Sequence, residues 1–331
     1  YSRLTTRDPR LTTMRTYLIH RLVHALTILL GISVLVFVMV EAAPGDAVDA
    51  MIPPESFVDD EVKERMRERL GLNEPAPIRY VRWLGRAVSG DFGYSLTSRK
   101  PIGEIILTRL PTTLQLVGFA LVVSVVVGVA TGIVSAVKQY SWIDYLTTLF
   151  AFTWISIPGF FLGLLMIYVF AVRLQWFPAF GATSADAQNP ILDRLHHLVL
   201  PGLTLGLELT AALTRYTRSS LLEVLHADYM RTARAKGLRD RVVIVRHGLS
   251  NALIPIITVI AFRLPYLISG AVIIETVFQW PGLGFLALTA ANQKDYPLVM
   301  ALALAVTLVV VVSSFVADVT YSLVDPRIRV R

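Results

Sequence analysis

The sequence predicts an all-α integral membrane protein with six transmembrane helices, and three observations lead to this fold class. First, 54% of the 331 residues are hydrophobic and the mean hydropathy is +0.60, whereas soluble domains are roughly 45–50% apolar. Second, only 17% of the residues are charged, and they lie in blocks between long apolar segments. Third, these segments are long enough to cross about 30 Å of hydrocarbon as helices, which satisfy their backbone amides internally.

Six segments have the length and apolar composition of a spanning helix. They are Tyr17–Val40, Thr113–Val137, Tyr145–Val172, Leu198–Leu213, Leu253–Phe278 and Leu298–Leu323. Helices are favoured over strands, because membrane strands would show alternating patterns of about ten residues. The sequences PGFFLG (158–163), PGLTLG (201–206) and WPGLG (280–284) combine Pro with Gly, so kinks or close helix crossings are expected there.

The orientation follows from lysines and arginines close to the spans, which mark the cytoplasmic side. They precede the first span, fill the loop after the fourth and follow the sixth: Arg3, Arg7, Arg10, Arg15 and Arg21; Arg215, Arg218, Arg231, Arg234, Lys236, Arg239, Arg241 and Arg246; Arg327, Arg329 and Arg331. Six crossings put all three segments on one side, so the termini (1–16 and 324–331) and the loop 214–252 are expected in the cytoplasm. A cleaved signal peptide ending near EAAPG (41–45) is the alternative, and it would break this agreement.

The net charge of +7 therefore describes the cytoplasmic loops rather than one basic face, and nucleic acid is not an expected partner. Because the chain has no cysteine, disulfides and thiolate metal sites are excluded.

The segment 41–112 is then an extracytoplasmic insertion between the first two spans, and 113–323 holds the remaining five. Within the insertion, VDDEVKERMRERLGL (58–72) has apolar residues every four positions, with Asp59 near its start and Gly71 at its end. This pattern predicts a small amphipathic surface helix. The later GDFGYSL (90–96) is expected to form a turn.

A short basic stretch, DYMRTARAKGLRD (228–240), lies between the fourth and fifth spans. Asp228 is a good N-cap, about two helical turns follow it, and Gly237 suits the left-handed conformation that ends a helix. Asp240 is expected to cap a second short helix that ends at Pro255.

Three interpretations fit the first of these helices. It lies on anionic lipid headgroups, it only supplies the positive-inside signal, or it docks into another protein. The small residues Ala233, Ala235 and Gly237 favour a protein partner, because a lipid-binding helix usually carries Leu or Phe at such positions.

RTARAKG (231–237), followed by NALIP (251–255), resembles the cytoplasmic EAA loop of ABC importer permeases, in the form used by the dipeptide and oligopeptide permease family. Further stretches match the pattern of that family in order along nearly the whole chain. They are APGD (43–46), GDFGYSL through RLPTTLQL (90–116), RSSLLEVLHADYMRTARAKG (218–237), ETVFQWPGLG (275–284) and VDPRIR (324–329). Arg231 departs from the general EAA pattern because it stands where that loop has its glutamate, and the later Leu-Pro element is altered around Leu249 and Pro255.

The resemblance implies a type I ABC importer permease, which forms half of a pathway for dipeptides or oligopeptides in the bacterial inner membrane and has no catalytic residues. The implied partners are a homologous second permease, two cytoplasmic ATPase subunits and an extracytoplasmic solute-binding protein. The resemblance also implies that one short segment couples the permease to an ATPase groove: Arg231, Thr232, Ala233, Arg234, Ala235, Lys236, Gly237 and Leu238.

Independently, the chain contains no Gly-x-x-x-x-Gly-Lys-Ser/Thr loop. ATP and Mg are therefore expected on the ATPase subunits, and no cofactor is expected in this chain.

Two alternatives remain open. The same architecture serves oligosaccharides, nickel complexes and glutathione. An ion-coupled secondary transporter is the alternative from another class, although such carriers often show inverted repeats, and none is obvious between the two halves of the chain.

Three ionisable residues fall within the predicted spans, where a charge costs about 2.5–3.5 kcal/mol on insertion scales. Glu208 and Arg263 are expected either to form an ion pair between neighbouring helices or to line the translocation path. Glu275 is a third candidate for the translocation path, and it is also expected to anchor the structure by hydrogen bonds near the outer mouth. The adjacent His196 and His197 do not share a helix face and have no carboxylate at metal-ligand spacing, so packing is favoured over a metal site.

Overall fold

The computed structural model describes residues 9–43, 45, 47–52, 58–237, 239 and 242–324. Within these residues the regular elements are helices, apart from one isolated bridge between Tyr94 and Pro101. The all-α prediction is therefore confirmed. The helices are α1 (Pro9–Glu41), α2 (Ala47–Met51), α3 (Asp60–Leu70), α4 (Ala76–Val88), α5 (Ile102–Val137), α6 (Trp142–Ser156), α7 (Gly159–Met166), α8 (Pro190–Leu225), α9 (Asp228–Ala235), α10 (Ser250–Val277), α11 (Leu283–Asn292) and α12 (Tyr296–Val324). Two π-helical segments, Ile167–Arg173 and Val243–Leu249, follow α7 and precede α10.

In the described part of the chain, five helices are long and apolar enough to cross a membrane: α1, α5, α8, α10 and α12. The predicted third span, Tyr145–Val172, is not one straight helix, because α6 and α7 meet at a bend of 107°. The break falls at the predicted Pro-Gly kink. Ile157 precedes Pro158 and has extended backbone angles (φ −92°, ψ 125°), since the proline ring disfavours the helical conformation of the residue before it. Counted as one broken span, the pair brings the number to six.

The described residues of 1–109 and 286–311 form one compact unit, and those of 110–285 and 312–327 form a second. In the first unit, α3 is the predicted amphipathic helix. The Asp59 side chain accepts a hydrogen bond from the Glu61 amide at its N-terminus, and Gly71 ends it with a φ of 68°. Within the predicted turn at 90–96, the Asp91 side chain accepts a hydrogen bond from the Gly93 amide at 2.9 Å. The turn itself lies slightly later, at 96–98, between the bridged residues Tyr94 and Pro101.

The second unit is organised around α8. In the most apolar stretch of α8, 72% of the residues are buried within the chain, compared with 28% in the corresponding stretch of α5. The backbones of α5 and α8 approach closely at Gly132, where an added Cβ would lie 2.5 Å from Thr217 Cβ and 2.8 Å from the Thr214 carbonyl oxygen. Gly128 and Gly132 thus form a small-xxx-small contact of the kind that brings membrane helices together.

We expect Gly132→Leu to destabilise the second unit by about 1–3 kcal/mol, because the new side chain collides with backbone that has no room to move. The measurement is thermal unfolding of the purified chain in detergent. Gly118→Leu on the same helix is the matched control, since no atom lies within 4 Å of a Cβ added there. Equal unfolding temperatures for the two variants would contradict the close crossing.

Candidate functional site

The basic stretch between the fourth and fifth spans folds as the short helix α9. It begins at Asp228, which is thus the first helical residue rather than the residue before it. The helix ends at Ala235, and Gly237 follows with a φ of 75°, the left-handed conformation predicted from the sequence. Leu238 and Asp240 lie outside the described residues.

The inner face of α9 packs against the chain itself. Met230 and Ala233 form a buried cluster with Val243, and Val224 and Leu225 at the end of α8 pack against it. This contact fixes the position of α9 relative to α8.

The small side chain of Ala233 faces this cluster, with only 9% of its surface exposed, so the expectation that it allows close approach of a partner is wrong for Ala233. Ala235 and Gly237 are exposed.

The outer face of α9 is open. Arg231, Thr232, Ala235 and Lys236 are exposed, as is Gly237. Arg231 approaches Asp228 only to 3.7 Å, and both side chains are largely solvent-accessible, so this ion pair contributes little to stability. The side chain of Arg234 lies outside the described residues.

The helix after α9 differs from the sequence prediction. The predicted end of a helix at Pro255 is wrong for the described part of this segment. The π-helical turn at Val243–Leu249 leads directly into α10, and both Pro255 and Pro265 lie inside that helix. Proline is tolerated within membrane helices where neighbouring groups satisfy the freed backbone positions.

Two of the three predicted membrane charges line one cavity. It has a volume of about 260 Å³ and lies at the bend between α6 and α7, against α8 and α10. Glu208 accepts a hydrogen bond from the Tyr266 hydroxyl at 3.3 Å, and the Arg263 guanidinium lies 5.5 Å from the centre of the Tyr266 ring. Among the described ion pairs there is none between Glu208 and Arg263, so the tyrosine is the group that contacts both.

Glu275 lies elsewhere, fully buried at the end of α10. Its Oε2 atom accepts hydrogen bonds from the amides of Gly284 (2.7 Å) and Phe285 (3.2 Å), which are unsatisfied donors in the first turn of α11. An added Cβ at Gly282 would lie 2.1 Å from the carboxylate. The carboxylate therefore holds the turn between α10 and α11 closed.

The two histidines make separate contacts. His196 Nε2 lies 2.7 Å from the Trp176 carbonyl oxygen, and buried His197 lies 3.0 Å from the Ser184 hydroxyl and 3.6 Å from Asp193. No group of three potential metal ligands occurs in the described portion of the chain.

A buried ion pair that was not predicted from the sequence joins α6 to the part of α8 that precedes α9. Asp144, 3% exposed, accepts hydrogen bonds from Arg218 Nε at 2.7 Å and Nη2 at 2.8 Å. It also accepts hydrogen bonds from the Ser135 hydroxyl and the Tyr140 amide. One carboxylate thus joins the end of α5, the following turn and α8. The position of Arg218 in the sequence indicates only a loop charge. The signal for a buried ion pair is the isolated aspartate at the start of an apolar segment.

Comparison with known proteins gives two family matches. Residues 128–330 match the family "Binding-protein-dependent transport system inner membrane component", and residues 14–117 match the N-terminal family of the same transport systems. An oligopeptide transport system permease protein of Bacillus subtilis, AppB, is 43% identical over 317 residues, which cover 96% of this chain and 100% of that protein.

Two other relatives are similar over the same length. A putative peptide permease protein of Brucella suis is 41% identical, over 96% of this chain and 100% of its own. The glutathione transport system permease protein GsiC of Escherichia coli is 40% identical, over 96% of this chain and 99% of its own.

We expect Asp144→Asn to lower the free energy of unfolding by about 1–3 kcal/mol, because the bidentate contact with a partly buried guanidinium loses its charge. Thermal unfolding in detergent measures this change. Arg215→Gln is the matched control: Arg215 lies on α8 three residues before Arg218, but its guanidinium lies over the Phe152 ring at 5.5 Å from the centroid. If both variants unfold at the temperature of the wild type, the pair does not stabilise the fold.

Proposed function

The chain belongs to the family of inner membrane components of binding-protein-dependent transport systems, and we propose that it carries peptides as one half of an ATP-driven importer. It is a multi-pass membrane permease subunit, as its relatives are.

The observation that carries the proposal is the construction of α9. The inner face of this helix packs against the end of α8, and its outer face is exposed and charged. An exposed face that is held in a fixed position favours docking of a partner protein. We propose that the segment Arg231–Leu238 docks into a groove of a cytoplasmic ATPase subunit. ATP and Mg bind to that subunit, and its closure on ATP moves α9. Because α9 and α8 share a buried cluster, this movement passes into the membrane.

Peptides are the proposed cargo because two of the three relatives compared are named as peptide or oligopeptide permeases. Glutathione, in the name of the third, is itself a tripeptide. The names therefore favour peptides over oligosaccharides or nickel complexes, and membership of a binding-protein-dependent family argues against an ion-coupled carrier.

The remaining parts of the assembly follow from the family. We propose a homologous second permease, two ATPase subunits and an extracytoplasmic solute-binding protein as partners, in the bacterial inner membrane. The positive-inside bias supports cytoplasmic termini (1–16 and 324–331), a cytoplasmic coupling loop (214–252) and an extracytoplasmic insertion (41–112).

Glu208 and Arg263 are proposed to line the translocation path. A cavity that exposes one acid and one base offers both ends of a zwitterionic peptide a group of opposite charge. Glu275, by contrast, is fully buried and is proposed to act on the path indirectly, by holding the turn before α11.

Gly237→Val in the complete transporter is expected to abolish peptide uptake and to uncouple ATP hydrolysis from transport. A β-branched residue at a φ of 75° is strained by about 1–2 kcal/mol and redirects the chain after α9. Uptake and ATPase rates in proteoliposomes are the measurements. Gly237→Asn is the control, because Asn tolerates the left-handed conformation and should keep most of the activity. Normal transport by the valine variant would refute the docking role.

Glu208→Gln and Arg263→Gln are each expected to lower uptake of a labelled dipeptide several-fold, because each removes one charge from the proposed path. The control is Arg173→Gln, since Arg173 contacts Tyr168 and does not line the cavity. Uptake equal to the wild type in both charge variants would exclude the cavity from the path. A loss of folded permease in proportion to the loss of uptake would assign the charges a structural role instead.

A further inference from the structure

A second cavity, of about 760 Å³, lies in the first unit and has no part in the proposed transport step. It is formed by the outer ends of α1 and α12 together with α3, α4 and the turn after α4. Five arginines line it: Arg69, Arg79, Arg82, Arg86 and Arg99. Glu41 is the one carboxylate among the described lining residues, and it is engaged by Arg79.

Much of this positive charge is not neutralised. Arg82 forms an ion pair with Glu74 at 2.8 Å, and Arg79 pairs with Glu41. For the guanidinium groups of Arg69, Arg86 and Arg99, the described residues provide no hydrogen bond or ion pair. A cavity with five guanidinium groups and one engaged carboxylate favours an anion.

The geometry of α4 places the cavity at a membrane surface. Arg79, Arg82 and Arg86 follow the spacing of one helical face, whereas Val81 and Val88 lie on the opposite face and are 66% and 82% exposed. Tyr80 of α4 packs edge-on against Phe37 of α1 and lies 2.8 Å from the Ser33 hydroxyl. An amphipathic helix attached by aromatic residues to the end of a spanning helix is typical of the headgroup region.

We propose that this cavity binds the phosphate headgroup of an anionic phospholipid, such as phosphatidylglycerol. A phosphate accepts hydrogen bonds from several arginines at once. The acyl chains follow the lipid-facing side of α1, where Val38 and Met39 are 56% and 64% exposed. The exposed apolar surface of α1 beside the arginines favours a lipid as the ligand. An acidic segment of a protein partner would need only the arginines.

The test uses the complete transporter, purified in detergent with equal amounts of phosphatidylglycerol and phosphatidylcholine. Native mass spectrometry then counts the lipids that stay bound. The wild type is expected to retain phosphatidylglycerol preferentially. The double variant Arg82→Gln, Arg86→Gln is expected to retain one phosphatidylglycerol molecule fewer. The fraction of transporters that carry this molecule should fall about tenfold in the double variant.

Two further variants separate binding from folding. Arg99→Gln removes a guanidinium that makes no hydrogen bond or ion pair with the described residues, so this variant breaks no such contact within the fold. Arg65→Gln is the control, because Arg65 pairs with Glu61 on the surface of α3 and does not line the cavity. It is expected to retain phosphatidylglycerol as the wild type does.

Several outcomes would overturn the proposal. Equal retention of the two lipids by the wild type, or full retention of phosphatidylglycerol by the double variant, would exclude a headgroup site here. Displacement of the lipid by millimolar glycerol phosphate would assign the cavity to a soluble anion. If the double variant retained lipid as the wild type does but lost affinity for the solute-binding protein, the cavity would be a docking surface for that protein.

Discussion

The close crossing of α5 and α8 is the constraint on which the second unit depends. Without a hydrophobic force to drive helices together inside lipid, association depends on packing and on interhelical hydrogen bonds. Glycines at 128 and 132 remove the side chains that would hold the backbones apart. The hydroxyl of Ser124 then donates to the Gly206 carbonyl oxygen at 2.7 Å, across the two helices. A helix held in this way is a rigid support for the groups it carries.

Helix α8 carries those groups in order along its length. Glu208 faces the cavity, Arg218 binds Asp144, and Val224 and Leu225 pack under α9. Because one rigid helix connects all three positions, a displacement of α9 is transmitted to the cavity without an intervening loop. In the proposed mechanism this is the path from ATP binding to the membrane, and the Asp144–Arg218 pair sets the point from which α8 moves.

The sequence predicted the parts of the structure that depend on local chemistry. The length of the apolar segments predicted the spans. Asp59 and Gly71 marked the ends of α3, Gly237 marked the end of α9, and the matching motifs indicated the family. The sequence did not predict contacts between distant residues. Nothing in the 74 positions that separate Asp144 from Arg218 indicates that the two side chains meet. Likewise, proline suggested an end to a helix at Pro255, whereas packing of α10 against α8 keeps the helix continuous.

The bend in the third span and the charged residues Glu208 and Arg263 on α8 and α10 border the same cavity. The 107° bend between α6 and α7 borders the cavity that α8 and α10 complete. In apolar packing without such a cavity, Glu208 and Arg263 would cost about 2.5–3.5 kcal/mol each. The polar neighbour of both charges is Tyr266, which lies on the same helix as Arg263. The break at Pro158 and the hydroxyl and ring of Tyr266 thus both shape the surroundings of the two charges. In the proposed mechanism, a charge without a direct ion pair is available to a solute in the path.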